Sequence, residues 1–151
     1  MSLPLRTARH KRRALKLAGT SALDETTMIQ SKVIITDHDL FGHMTNSRYN
    51  SFLEIGRTDW LIKTGMASVL KHANLTLCIQ SESGQFLKAL RAPAPFKVNT
   101  KLTEQSKDGL IYTGHFIRRG VVCASFETHA FLQDRLGKTV DPTSIFAKQA
   151  E

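Results

Sequence analysis

A single helix-forming stretch stands in a chain that otherwise reads as strands. Between Asn46 and Gly65, the residues Tyr49, Phe52, Leu53, Gly56 and Trp60 recur at steps of three and four. Such spacing lays all five on one apolar stripe about 100° wide. Asn46 or Ser47 is placed to cap the start, and Gly65 to end the helix. Gly56 inside the stripe would cost about 1 kcal/mol relative to alanine in an isolated helix. A sheet pressed close against it is the expected compensation.

Strand-like segments flank this helix. The run MIQSKVIITD, with Val33, Ile34 and Ile35, precedes it as a strand. After Leu75 come LTLCIQSESGQFLKAL, with a bend or bulge expected at Ser83-Gly84, then FKVNTKLTEQ, LIYTGHFI and VVCASFETHAFLQD. Lys107-Asp108-Gly109 and Arg118-Arg119-Gly120 mark tight turns between them. One strand, one long helix and a meander of four or five antiparallel strands make an α+β arrangement. A flat sheet and a sheet curled around the helix would share this pattern.

The chain of 151 residues suffices for one domain with its own core. No apolar run approaches the roughly 20 residues that span a bilayer. Cys78 and Cys123 lie far apart, without metal-ligand or Cys-x-x-Cys spacing, and read as buried thiols of a reducing, cytoplasmic compartment. The net charge of +8 invites a nucleic-acid reading until its location is considered. Arg6, Arg9, Lys11, Arg12, Arg13 and Lys16 fall in the first 20 residues with no acid, leaving 15 basic and 13 acidic groups elsewhere. Residues 1–23 therefore read as a basic tail, either a solvated arm, a short helix resting on an anionic surface or a presequence. The domain proper is expected over 24–145. No aromatic residue precedes Phe41, so a base-stacking surface is not expected there.

The segment TDHDLFGHMTN, just before the helix, gathers the chemistry-bearing residues. Asp37, His38, Asp39 and His43 could offer metal ligands, but they sit on a strand end and turn, where alternate side chains diverge. Asp39 and Asn46 could simply satisfy backbone N–H groups at a helix start. A third reading is a reaction centre. A carboxylate beside a helix N-terminus sits near unpaired N–H donors and the positive end of the helix dipole. Those donors can hold an oxyanion while the carboxylate attacks a carbonyl or deprotonates water.

The pattern Asp-x-Asp-x-x-Gly-His-x-x-Asn-x-x-Tyr, spelled by Asp37, Asp39, Gly42, His43, Asn46 and Tyr49 and followed by Glu54 and Arg57, resembles the hot-dog-fold acyl-CoA thioesterases of the 4-hydroxybenzoyl-CoA thioesterase type. HMTNSRY, EIGRTDWLIKTGM and FLKALRAPAPFKV look most like the branch typified by thioesterase superfamily member six. The resemblance spans about residues 24–140. It implies a long helix wrapped by a curled antiparallel sheet of five to six strands.

It also implies Asp39 as the catalytic carboxylate, nucleophile or general base, with His43 and Asn46 completing the catalytic set. Gly42, Thr45, Ser47, Tyr49, Glu54, Arg57 and Arg91 fall at positions that would shape or contact the substrate. Asp37 would anchor the loop, and Glu54 and Arg57 could bridge at i, i+3. Where relatives carry His-x-Asn-Asn, this chain has His43-Met44-Thr45-Asn46, so Thr45 replaces the first asparagine. Coenzyme A would enter as part of the substrate, with no separate cofactor or metal. Arg91, Lys97, Arg118 and Arg119 are candidates for its phosphates, and Trp60, Leu61, Ile62 and Met66 for an acyl slot. A homodimer, or a tetramer of paired dimers, is the implied assembly. A non-catalytic acyl-binding protein remains a second reading, and a tail-directed adaptor with weak membrane-surface contact a third.

Overall fold

A computed structural model describes residues 2–146. Helix α1 spans Leu3–Lys16, strand β1 Thr27–Lys32, helix α2 Asn46–Lys63 and helix α3 Met66–His72. Strands β2 (Thr76–Phe86), β3 (Pro95–Ser106), β4 (Gly109–Arg118), β5 (Val121–Gln133) and β6 (Thr139–Val140) follow, and the short helix α4 covers Thr143–Phe146. All pairings are antiparallel, in the order β1-β3-β4-β5-β2, with β6 joined to the end of β5. The fold is α+β as expected, but only β3–β4–β5 follow one another as a meander: β2 crosses to the far edge beside β5, β1 takes the place beside β3, and α2 packs across the β1–β3 side.

The stripe on α2 is buried as its spacing predicts: Tyr49, Phe52, Leu53, Gly56 and Trp60 all face inward. A Cβ added at Gly56 would meet Thr100 Oγ1 at 2.5 Å and Val98 Cγ1 at 3.6 Å, so the glycine does mark a close approach of β3. The core divides along α2. Its first half packs Tyr49 and Phe52 among Phe96, Phe116 and Phe126, with Phe52 edge-on to Phe96 at 4.9 Å between ring centroids. Its second half packs Trp60 with Tyr112, Met66, Leu132 and Phe146. Trp60 and Met66, candidates for an acyl slot, are therefore core residues.

Several local expectations are corrected. The first strand stops at Lys32, because Ile34 donates its N–H to the Asp37 carboxylate at 3.0 Å and Ile35–Asp37 winds into a 3₁₀ turn. Side-chain capture of the backbone thus outweighs the β preference of three branched residues. The bulge in β2 lies at Gln80, between Ile79 and Ser81, rather than at Ser83-Gly84. Neither Asn46 nor Ser47 caps α2. Thr45 occupies the cap position, its hydroxyl turned to Ser47 Oγ at 3.1 Å. Gly65 ends the helix in a left-handed conformation at φ 80°, as expected, and α3 starts directly after it.

The largest departure concerns the basic tail, which is a helix packed on α2. Arg6, His10 and Ala14 are buried at successive turns, and beyond the helix Gly19 and Ser21 donate N–H groups to the carbonyls of Ile62 and Lys63, at 3.2 and 3.0 Å. Carbonyls at a helix C-terminus lack partners within their own helix. The N-terminal segment supplies them, so a free solvated arm is not what residues 3–21 form.

Candidate active site

The segment from Asp37 to Asn46 is held as a small closed loop. The Asp39 N–H bonds the His43 carbonyl at 2.9 Å, and the Gly42 N–H bonds the Asp39 carbonyl at 3.1 Å. Gly42 takes φ 76°, a left-handed value that glycine adopts without a Cβ penalty. From behind, Met44 donates to the Leu90 carbonyl at 2.8 Å and His43 pairs with the backbone of Arg91. Thr45 donates to the Asp37 carbonyl at 3.0 Å, which fixes the distance between the acidic pair and the first turn of α2.

The two acids point into different surroundings. Asp37 is fully buried, and both its oxygens are gripped by the Arg6 guanidinium. Arg48 approaches the same carboxylate at 3.3 Å. Arg6 also donates to the Lys32 carbonyl at 3.0 Å and lies over the Phe52 ring. A carboxylate so occupied anchors the loop and is not free as a metal ligand, which corrects the four-ligand metal reading.

Asp39 is exposed. One of its oxygens accepts the N–H groups of Phe41 at 2.8 Å and His43 at 3.2 Å. Its pKa is lowered from the ordinary 3.8: desolvation pushes upward, but the N–H groups of His43 and Phe41 and the nearby His43 and His38 rings outweigh it. The result is a carboxylate that stays ionised at neutral pH.

The first turn of α2 supplies the complementary electrostatics. Arg48 and Tyr49 bond back to the Thr45 carbonyl, whereas the N–H groups of Asn46 and Ser47 have no backbone partner among the described residues. These two donors, at the positive end of an 18-residue helix, are the oxyanion candidates. Asn46 and Ser47 are exposed, and Gly42, His43 and Thr45 are half-buried around them. Arg91 lies exposed beside His43.

Other predicted residues fall elsewhere. Tyr49 is buried, its ring edge-on to Phe86 and Phe116 at 5.0 and 4.8 Å, so it supports the loop from inside. The i, i+3 bridge does not form: Glu54 is exposed, while Arg57 turns inward to Glu82 on β2 at 2.7 Å and Thr128 on β5 at 3.2 Å. Burial of the guanidinium selects the partner beneath the helix. Lys97 and Arg119 lie near the start of β3 and at the β4–β5 turn, beside a concavity shared with Met28 and Gln30. Arg6, Arg48, Glu82 and Thr128 escaped the sequence reading. Arg6 is 31 residues from Asp37, and no local spacing connects them.

The sequence model of the thioesterase-like superfamily matches residues 33–148, which contain this whole loop. The chain belongs to the thioesterase-like superfamily. Its reaction class is accordingly thioester hydrolysis. Solved structures of the same hot-dog fold include a probable thioesterase from Escherichia coli, 18% identical over 81% of this chain and 94% of that one, with a TM-score of 0.76. A DHNA-CoA thioesterase from Staphylococcus aureus is 15% identical over 82% and 85% of the two chains, with a TM-score of 0.72. A 1,4-dihydroxy-2-naphthoyl-CoA thioesterase from Synechocystis is 14% identical over 83% and 96%, with a TM-score of 0.70. At these identities the structures establish the shared fold. Among the described residues, no helix is long and apolar enough to cross a membrane.

Proposed function

We propose that this chain is an acyl-CoA thioesterase in which Asp39 is the reacting carboxylate. The observation that carries the reading is the pairing of an ionised, exposed Asp39 with the free N–H groups of Asn46 and Ser47 at the start of α2. With Asp39 as general base, it takes a proton from water as the hydroxide oxygen bonds to the thioester carbon. The carbonyl oxygen gains negative charge facing the two N–H donors, and collapse expels the thiolate, which takes up a proton. With Asp39 as nucleophile, its free oxygen bonds that carbon, the thiolate leaves, and water then cleaves the mixed anhydride. Either route gives free acid and coenzyme A, and needs no cofactor or metal.

His43 serves through its backbone N–H, which donates to Asp39, and the exposed Arg91 would meet a phosphate of coenzyme A. The exposed side chains of Leu40, Phe41, Phe86 and Leu87 offer apolar surface to the acyl group or to a second subunit. A homodimer joined through β2 fits the reading, because β2 is a long edge strand with one side unpaired, which is an open template for another strand.

Thiol release from acyl-CoAs ranging from short to long and aliphatic to aromatic tests the proposal, with Asp39→Asn as control. Release that depends on Asp39 supports it. Saturable binding without release from any acyl-CoA would instead support the acyl-binding reading, for which Thr45 in place of an asparagine is the motivating departure.

A further inference from the structure

Helix α1 is amphipathic in the inverted sense. Its buried positions are Arg6, His10 and Ala14, whereas Leu5 and Leu15 are 61% and 57% exposed. A surface helix ordinarily turns apolar residues inward, and burying cations is costly unless an anion compensates. Asp37 compensates Arg6, but nothing comparable serves the rest of the face.

Between α1 and the edge strand β1 lies a groove of about 390 Å³, lined by Arg6, Arg9, His10 and Arg13 on one side and by Gln30, Ser31 and Lys32 on the other. Among the described residues, no acidic side chain lines it. Arg6 on this wall is 7% exposed and leaves its Nε hydrogen buried without a partner. His10 is held below its ordinary pKa by burial and then by Arg13, Arg9, Arg6 and Lys63, every one of them a cation. A concave, low-dielectric wall carrying one sign of charge concentrates its potential on whatever anion fits.

We infer that this groove binds a soluble phosphate-bearing small molecule, a pyrophosphate or a phosphate ester, between Arg9, Arg13 and Lys32. Guanidinium forks match phosphate oxygens in pairs, and the volume falls within the small-molecule range of about 300–1,000 Å³. A membrane surface is the poorer occupant, because it would meet the exposed Arg9, Arg13 and Lys32 but not the buried Arg6 and His10 that line the same groove. The site is independent of the hydrolysis assigned to Asp39.

Calorimetric titration of the full chain with pyrophosphate at about 0.15 M chloride tests it, since exposed charges alone are largely screened there. Saturable one-to-one binding is expected, weakened at least ~10-fold in Arg9→Ser/Arg13→Ser and also reduced in Lys32→Ser, because each substitution removes charge-assisted hydrogen bonds to the phosphate oxygens. All three side chains are exposed, and unchanged circular dichroism would confirm that the variants fold. Absence of saturable binding, equal binding by parent and variants, or association only with phosphatidylglycerol vesicles would each overturn the inference.

Discussion

Asp37 and Asp39 are two residues apart and carry the same functional group, yet one is fully buried and the other exposed. Asp37 is enclosed by Arg6, Arg48 and the Ile34 N–H. Asp39 meets only backbone donors on one oxygen and solvent on the other. In a strand the i, i+2 spacing would put both side chains on one face; here a 3₁₀ turn ends at Asp37 and a closed loop begins at Asp39, so a single Asp-x-Asp step supplies both an anchor and a reactive group. The lesson is that identical chemistry in sequence acquires different roles from what the remainder of the chain packs against it.

The sharpest way to break this division is to neutralise each acid separately. Asp39→Asn should lower kcat on the order of 10²- to 10⁴-fold, the usual contribution of a positioned acid–base group, with the fold retained and the melting temperature only slightly reduced. If turnover survived, the division of roles would fail. Asp37→Ala should instead unfold more readily, by about 3–5 kcal/mol in urea titration, because Arg6 is left buried without its counter-charge. Arg6→Lys probes the same anchor more gently. It retains the charge but loses the two-pronged grip, and should cost about 1.5–3 kcal/mol and lower kcat while leaving KM near the parent value. A fall in stability with kcat untouched would show that Arg6 does not position the loop.

The pH dependence separates the exposed acid from a buried one. Since the folded pKa of Asp39 is depressed, the acid limb of kcat/KM should lie below 3.8, and its contribution to stability is present above that value and lost as pH falls through the folded pKa. Asp59 behaves oppositely. It is 4% exposed, and burial raises its pKa against the opposing pull of Lys63, 2.8 Å away, and of Thr27. Its folded form therefore holds a proton more tightly than the unfolded chain. Stability should decline as pH rises from 3.8 towards the folded pKa, and Asp59→Asn should remove that decline in denaturation curves.

Legibility in the sequence follows the range of the interaction concerned. The α2 stripe, the close approach at Gly56, the stop at Gly65 and the β3–β4 and β4–β5 turns all rest on neighbours within a few residues, and all appear as expected. The loop motif placed Asp39, Gly42, His43 and Asn46 together for the same reason. The partner of Arg57 was missed because Glu54 is near in sequence while Glu82 is near only after β2 has folded beneath the helix. The basic tail was missed because a run of cations resembles a solvated arm until one of them meets a buried aspartate. The fate of Val33–Ile35 depended on a single side-chain hydrogen bond that no propensity scale contains.

The ties of the N-terminal segment to both ends of α2 also set an order of events during synthesis. Helix α1 leaves the ribosome before its fastenings, which are Asp37 and the carbonyls of Ile62 and Lys63. An isolated 14-residue helix is marginal in water. It follows that α1, translated before its partners, settles only after them, and that the loop bearing Asp39 acquires its final shape only then. Protease protection of stalled nascent chains should accordingly appear at Arg6 only after Lys63 has cleared the exit tunnel; protection before that point would refute this order.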